Sequence, residues 1–349
     1  MANTCLEFKN ICMEFPGVKA LSDVSFAINT GETHALMGAN GAGKSTLIKI
    51  LARVYQQTSG DVILNGENLN KVTPGNIRDH GIEFIFQELE LVPGFTVAQN
   101  IMIGIEPRKG GMVDWKKMNE FAQKALDDFM PGVVDATESI DNLSVAKQQL
   151  VCIVRALSRN PKILVLDEPT SRLSATETEA LFEAIRRVRT RQEITIIYIS
   201  HRLEELFKIC DCVTILRDGV YTGTWPLSEM TQEDIVYRMV GQVKKSGEHL
   251  PPNPEMLAKK SIFDVEHLNL PGVIEDVSFH VRPGEILALT GAVGAKKTEI
   301  FETIMGIRPG GTGTVRINGQ EAKISGPRSA KNHGICLIPE DRRKNGIIQ

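Results

Sequence analysis

From residue 38 the chain reads Gly38-Ala39-Asn40-Gly41-Ala42-Gly43-Lys44-Ser45-Thr46. The spacing G-x-x-x-x-G-K-[ST], Gly38 to Ser45, lets backbone N–H groups close round phosphate oxygens, and the N-terminus of a following helix adds its positive dipole end. In such a loop Lys44 reaches the β- and γ-phosphates, Ser45 offers its hydroxyl to Mg²⁺, and Thr46 sits just behind. A second constellation lies downstream, where the apolar run Ile163-Leu164-Val165-Leu166 ends in Asp167 and Glu168. Asp167 is expected to hold Mg²⁺ directly or through water, and Glu168 to orient and polarise the water that attacks the γ-phosphate. The chemistry implied is phosphoryl transfer from a nucleoside triphosphate to water.

These residues need particular elements behind them. Gly31 to Leu51 reads as an apolar strand, a glycine-rich loop and an amphipathic helix that turns Leu47, Ile48 and Leu51 inward. The run before Asp167 has the form of a buried parallel strand that delivers charge at its C-terminal edge, beside the nucleotide.

The same elements occur twice. Asp23-Val24-Ser25-Phe26 returns as Asp276-Val277-Ser278-Phe279, Gly38 as Gly291, Asn65-Gly66 as Asn318-Gly319 and Gly81-Ile82 as Gly334-Ile335, all at an offset of 253. A constant register across turns and apolar runs implies two copies of one fold. The expected division is a first domain at 1–242, a polar, proline-bearing linker at 243–260 and a second copy at 261–349. The second copy is expected to be partial, since its register stops at Gln349, where the first copy has many residues still to run. It also carries a degenerate loop, Gly291-Ala292-Val293-Gly294-Ala295-Lys296-Lys297, in which Lys296 replaces a glycine while Lys297 aligns with Lys44. Leu270 is expected near the position of Phe15, and Glu340 opposite Gln87, so weak or no catalytic nucleotide use is expected there.

With Leu143-Ser144-Val145-Ala146-Lys147 placed between the two constellations, the chain resembles the ATP-binding cassette family, whose signature usually reads LSGGQ. The resemblance spans nearly all of the chain. It implies an α/β fold, a P-loop NTPase cassette with a β-rich N-terminal subdomain and a helical subdomain, followed by a partial second cassette. It also implies that Phe15 stacks on adenine, that Gln87 contacts Mg²⁺ or water and senses a membrane partner, and that His201 contacts the γ-phosphate. Ser144, Ala146 and Lys147 would face the nucleotide of an opposing cassette, although both glycines and the glutamine of the usual signature are replaced. Ser144 retains a hydroxyl that caps the next helix. The segment Ser171-Arg172-Leu173-Ser174 lacks the usual final aspartate.

More narrowly, FPGVKAL, SHRLEEL, ILRDG and IPEDRRKNGII are similar to phrases of fused two-cassette ATPases that serve bacterial importers of ribose, galactose or xylose. That resemblance implies ATP and Mg²⁺ as cofactors. The partners it implies are membrane permease subunits, a periplasmic or lipid-anchored sugar-binding protein reached through the permease, and a second nucleotide-binding domain from the same chain or another copy. The place implied is the cytoplasmic face of the cell membrane, as a peripheral subunit. Alternatives are a truncated regulatory or inactive cassette and an importer ATPase for nucleosides.

Composition narrows the field further. With 42% hydrophobic and 24% charged residues among 349, the chain suits two globular domains, and no apolar tract approaches the roughly 18 residues of a membrane span. Lys and Arg number 40 against 43 Asp and Glu, a net charge of -3 without a basic stripe, so nucleic acid is not an expected partner. Cys5, Cys12, Cys152, Cys210, Cys212 and Cys336 form no CxxC pair, and the first residues show no basic-then-apolar leader, which fits a reducing cytosol.

Overall fold

The computed structural model describes residues 3–86, 89–129, 131–171, 173–192, 194–241, 254–291, 294–339 and 346. The chain divides into two compact units, Met1–Lys244 and Lys245–Gln349.

The first unit opens with a long antiparallel hairpin, β1 (Thr4–Phe15) and β2 (Val18–Asn29), in which Phe8 faces Phe26 and the last pair is Phe15 with Val18. Gly17 closes the two-residue tip at φ 80°, a conformation that costs a glycine little. Next come β3 (Thr33–Met37), α1 (Lys44–Leu51), β4 (Ser59–Leu64), β5 (Glu67–Asn68) and β6 (Ile82–Ile85). A helical segment follows: α2 (Val97–Met102), the small hairpin β7 (Arg108–Lys109) and β8 (Met112–Val113), α3 (Trp115–Phe129) and α4 (Val145–Leu157). The chain then returns to the sheet through β9 (Ile163–Asp167), α5 (Ala175–Gln192), β10 (Thr195–Ile199), α6 (Leu203–Ile209), β11 (Cys212–Arg217), β12 (Val220–Pro226) and α7 (Gln232–Val240).

These strands form one sheet in the order β5-β4-β1-β2-β12-β11-β3-β10-β9-β6. From β11 to β6 the neighbours run parallel, which suits runs such as Thr-Ile-Ile-Tyr-Ile in β10, buried at all five positions. Parallel register carries Ile199 of β10 to Asp167 of β9 and Ile215 of β11 to Met37 of β3, so the C-terminal ends of these strands share one edge. That edge is where open α/β sheets bind ligands.

Helix α4 faces two ways. Val151 and Val154 join Ile101, Met118 and Leu126 in a core for the helical segment, while Leu150, Ile153 and Leu157 pack into the core of β9, β10 and α5. One helix thereby belongs to both hydrophobic clusters.

The second unit contains α8 (Pro254–Leu257), β13 (Phe263–Leu270), β14 (Ile274–Val281), α9 (Lys297–Ile304), β15 (Thr312–Ile317), β16 (Gln320–Glu321) and α10 (Pro327–Asn332). Its sheet order β14-β13-β15-β16 reproduces β2-β1-β4-β5. The strand pairs refine the repeat: Val265 faces Phe279, Leu268 faces Val277 and Leu270 faces Ile274, as Phe8 faces Phe26, Ile11 faces Val24 and Met13 faces Leu21. Leu270 therefore occupies the place of Met13, not one near Phe15, because the second hairpin stops short of the tip that carries Phe15.

The two copies also diverge after that hairpin. Residues 285–290 form no strand and Ile286 is 96% exposed, whereas its counterpart Thr33 is fully buried in β3. Strand β3 is bonded on both sides by β10 and β11, and the second unit has no counterpart of those strands among the described residues.

Candidate nucleotide site

Strand β3 ends at Met37 and the chain turns at once into the glycine-rich loop. The loop requires its glycines for space: a Cβ on Gly38 would lie 2.4 Å from the Leu216 carbonyl oxygen, and one on Gly43 2.5 Å from Leu21 Cδ2. Gly43 also sits at φ 95° as the residue that leads into α1. Ala39, Asn40 and Gly41 form the exposed crest of the loop, while the Ala42 methyl is buried in the core of β1 and α1 and the Ala42 N–H donates to Ala39 O within the turn. Lys44 starts the helix, and its Nζ donates to Gly38 O at 2.7 Å and to Ala39 O at 3.0 Å. Burial lowers the Lys44 pKa, and the nearby Glu168 and Asp167 carboxylates work against that shift. Ser45 is exposed and Thr46 partly buried on the same first turn.

Asp167 ends β9 and Glu168 follows it off the sheet edge. Burial and the adjacent Glu168 charge push the Asp167 carboxyl up to about 6, with Lys44 and Lys49 pulling in the opposite direction. Glu168 holds a left-handed backbone at φ 50°, uncommon for a residue with a side chain, and this conformation is fixed by its N–H donating to Ile199 O at 2.9 Å. Beyond β10, His201 Nδ1 lies 3.1 Å from Glu168 Oε1. Lys44, Asp167, Glu168 and His201, far apart in sequence, are thus gathered at one edge of the sheet.

Other expected residues stand elsewhere. Phe15 is half-buried at the hairpin tip and meets Tyr55 edge-on, with ring centroids 5.4 Å apart. Lys49 Nζ lies over the Tyr55 ring at 5.3 Å. Tyr55 was not foreseen from sequence; its only mark is an aromatic in the loop just after the phosphate-loop helix. Ser144 is the N-cap of α4 and accepts the Lys147 N–H at 3.3 Å. Ala146 packs against the β9/β10 core, and Leu143 is buried among the helical segment. No hydrogen bond among the described residues joins Ser144, Ala146 or Lys147 to the Lys44 group. Gln87, Arg172 and Glu340 lie outside the described residues.

The second glycine-rich loop keeps part of this design. Lys297 Nζ donates to Gly291 O at 2.6 Å, as Lys44 does to Gly38. Lys296 holds φ 62° where Gly43 stands in the first loop, and its Nζ lies 3.5 Å from Glu299 Oε1. Glu299 takes the position of Thr46, so a carboxylate replaces a hydroxyl on the first helical turn. That exchange is visible in the sequence at the offset of 253.

Residues 21–171 and 274–346 match the family model described as ABC transporter. The chain belongs to the ABC transporter family. Among its relatives, a putative ribose/galactose/methyl galactoside import ATP-binding protein of Agrobacterium fabrum is 43% identical over 98% of this chain and 67% of its own length. A ribose import ATP-binding protein of Geobacillus kaustophilus is 41% identical over 98% of this chain and 69% of its own length. A xylose import ATP-binding protein of Brucella abortus is 40% identical over 100% of this chain and 69% of its own length. The cassette chain thus spans about two-thirds of the length of these curated relatives. Among solved structures, a nucleotide-free ATP-binding cassette from an ABC transporter superposes with TM-score 0.57 at 25% identity, covering 69% of this chain and 96% of that one. A dimeric post-hydrolysis cassette bound to ADP and Pi matches in fold with TM-score 0.57 at 24% identity, covering 64% of this chain and 98% of its own.

Proposed function

We propose that this chain is the ATP-binding and ATP-hydrolysing subunit of an importer for a monosaccharide, acting at the cytoplasmic face of a membrane beside permease subunits. The observation that carries the hydrolytic reading is the convergence of Lys44, Asp167, Glu168 and His201 at one sheet edge. The names of the ribose, galactose and xylose import relatives support the sugar assignment. No helix among the described residues is long and apolar enough to cross a membrane, which accords with a subunit that docks on separate permease proteins.

The residues divide the work by position. The glycine-rich loop from Gly38, where no side chain fits, turns its backbone N–H groups round the phosphates, and Lys44 supplies a positive charge beside them. Ser45, Asp167 and Gln87 would hold Mg²⁺ together with the phosphates, a set of oxygen donors that suits a hard cation. Bound there, Mg²⁺ would neutralise charge on the phosphates. Glu168 orients the attacking water and accepts its proton, with His201 fixing the carboxylate and presenting its ring to the γ-phosphate. Phe15, with Tyr55 behind it, forms the aromatic wall for adenine.

A second nucleotide-binding domain would bring Ser144, Ala146 and Lys147 to the opposite side of the nucleotide, and Gln87 with the helical segment would pass the resulting motion to the permease. A sugar-binding protein would deliver the substrate to that permease from outside.

Steady-state hydrolysis of MgATP by the full chain tests the reading. Turnover that Lys44→Ala and Glu168→Gln each reduce by at least about a hundredfold is expected. The replaced signature favours a second reading, a regulatory cassette that binds ATP without turning it over. Nucleotide binding with no turnover above that of Lys44→Ala, with and without permease subunits, would select it.

A further inference from the structure

Glu205 is almost entirely buried, at 5% exposure. Its carboxylate accepts the Thr170 hydroxyl at 2.8 and 2.9 Å, the Tyr198 hydroxyl at 2.8 Å and the Ser200 hydroxyl at 2.8 Å. Among the described residues the one cation recorded against it is Arg202, whose NH1 stands 3.3 Å away and whose side chain is 44% exposed. A carboxylate in such a place is costly unless its lone pairs are filled, and here hydroxyls do most of the filling. Burial and the Glu205 charge push the Tyr198 phenol upward, so it remains a donor.

The donors are placed where they matter for hydrolysis. Thr170 follows Glu168 by two residues, on the turn where Ser171 N–H donates to Glu168 O. Ser200 precedes His201, and Ser200 Oγ also accepts the Arg202 N–H at 3.0 Å, which closes the backbone round His201. Tyr198 anchors the β10 strand from which that turn departs. His201 itself is 67% exposed, so packing does little to orient it. One carboxylate on α6 therefore ties together the two turns that present Glu168 and His201.

We propose that Glu205 is a positioning residue for ATP hydrolysis, holding the Glu168 turn and the His201 turn in the register that brings their side chains together. The inference rests on the hydrolytic reading above. Gln at 205 keeps shape but turns one acceptor oxygen into a donor, and a group built to accept from Thr170, Tyr198 and Ser200 then meets N–H against O–H. The turns shift, and small displacements of reacting groups cost much rate.

The test uses the full chain as wild type, Glu205→Gln, Thr170→Val and Lys44→Ala. It reads steady-state MgATP hydrolysis, the melting temperature and the ¹⁵N resonances of the His201 imidazole. Glu205→Gln is expected to lower kcat by about tenfold to a hundredfold while KM for ATP stays within about twofold, with the His201 Nδ1 resonance moving toward that of a solvated imidazole. A kcat within about twofold of wild type overturns the proposal. So does a lowered kcat with the His201 resonance unmoved, because the loss then arises by another route. If Glu205→Gln fails to fold, Thr170→Val, which keeps the carboxylate and removes one donor, decides on the same readouts. Wild-type turnover no greater than that of Lys44→Ala sinks the hydrolytic reading instead. In that event the His201 resonance alone judges the positioning role: moved supports it, unmoved overturns it.

Discussion

At Gly38 the backbone passes so near the Leu216 carbonyl that a methyl group would overlap it at 2.4 Å. Gly38→Ala is expected to destabilise the first unit by about 1–3 kcal/mol, the range for forced overpacking, and to abolish nucleotide binding; thermal melting with and without ATP checks both. The Asp167 carboxyl, raised to about 6 by burial and by Glu168, gives a pH dependence with a definite sign. If Asp167 holds Mg²⁺ as proposed, below that value the proton occupies the oxygen the metal would take, and above it the carboxylate can bind. Mg²⁺-dependent nucleotide affinity is therefore expected to fall as pH drops through about 6, and the slope should flatten in Asp167→Asn. Titrations of a fluorescent nucleotide at pH 5 to 8 would measure it. Of these residues, Gly38 and Asp167 were legible from motif spacing alone. Tyr55 and Glu205 were not: Tyr55 lies in no motif, Glu205 stands in the phrase SHRLEEL without a role that spacing assigns, and each acquires its distant neighbours, Phe15 and Thr170, only when the fold assembles.

Among the elements, α4 links the phosphate-binding sheet to the helical segment, since its two apolar faces enter two different cores. Its N-terminus is where the signature stands. Ser144→Ala removes the side-chain acceptor for the Lys147 N–H and is expected to cost about 1 kcal/mol, with Ser144→Thr recovering most of it; denaturant midpoints compare the three. The hairpins show how a repeat can mislead at the scale of an element. The offset of 253 holds from Asp23 onward, but β13 pairs as though shifted, so that Leu270 answers Met13 and the tip bearing Phe15 has no match. Sequence similarity is weakest where a loop has shortened, so only strand pairing revealed the change.

For the whole molecule, the candidate nucleotide site is one-sided: Lys44, Asp167, Glu168 and His201 gather on the sheet edge, while Ser144 caps α4, Lys147 lies in its first turn, and neither shares a hydrogen bond with them among the described residues. If a second copy supplies the opposite side, Glu168→Gln, expected to bind ATP without removing its γ-phosphate, should dimerise when ATP is added. Light scattering with ATP and with ADP would show it, and a persistent monomer at saturating ATP excludes the homodimer. The degenerate second loop should contribute little. With Lys296 in place of a glycine and Glu299 in place of Thr46, Lys297→Ala is expected to leave the nucleotide affinity of the chain within about twofold, whereas Lys44→Ala removes it; equilibrium binding distinguishes the two.

The glycine-rich loop, the paired carboxylates and the duplication can be read from the chain alone, because each is written in short-range spacing: glycines before a lysine, an apolar run before two acids, one register repeated. Tertiary structure decided what spacing cannot carry. It brought His201 to Glu168 by setting β10 beside β9, and set Ala42 into the core with its N–H engaged. It also left residues 285–290 outside any strand while the matching β3 lies between two neighbours. A strand's form depends on the partners that accept its hydrogen bonds, and those partners lie far along the chain. The glycine-rich loop is therefore legible from a few adjacent residues, whereas the meeting of Glu168 and His201 beside it exists only once the sheet has assembled.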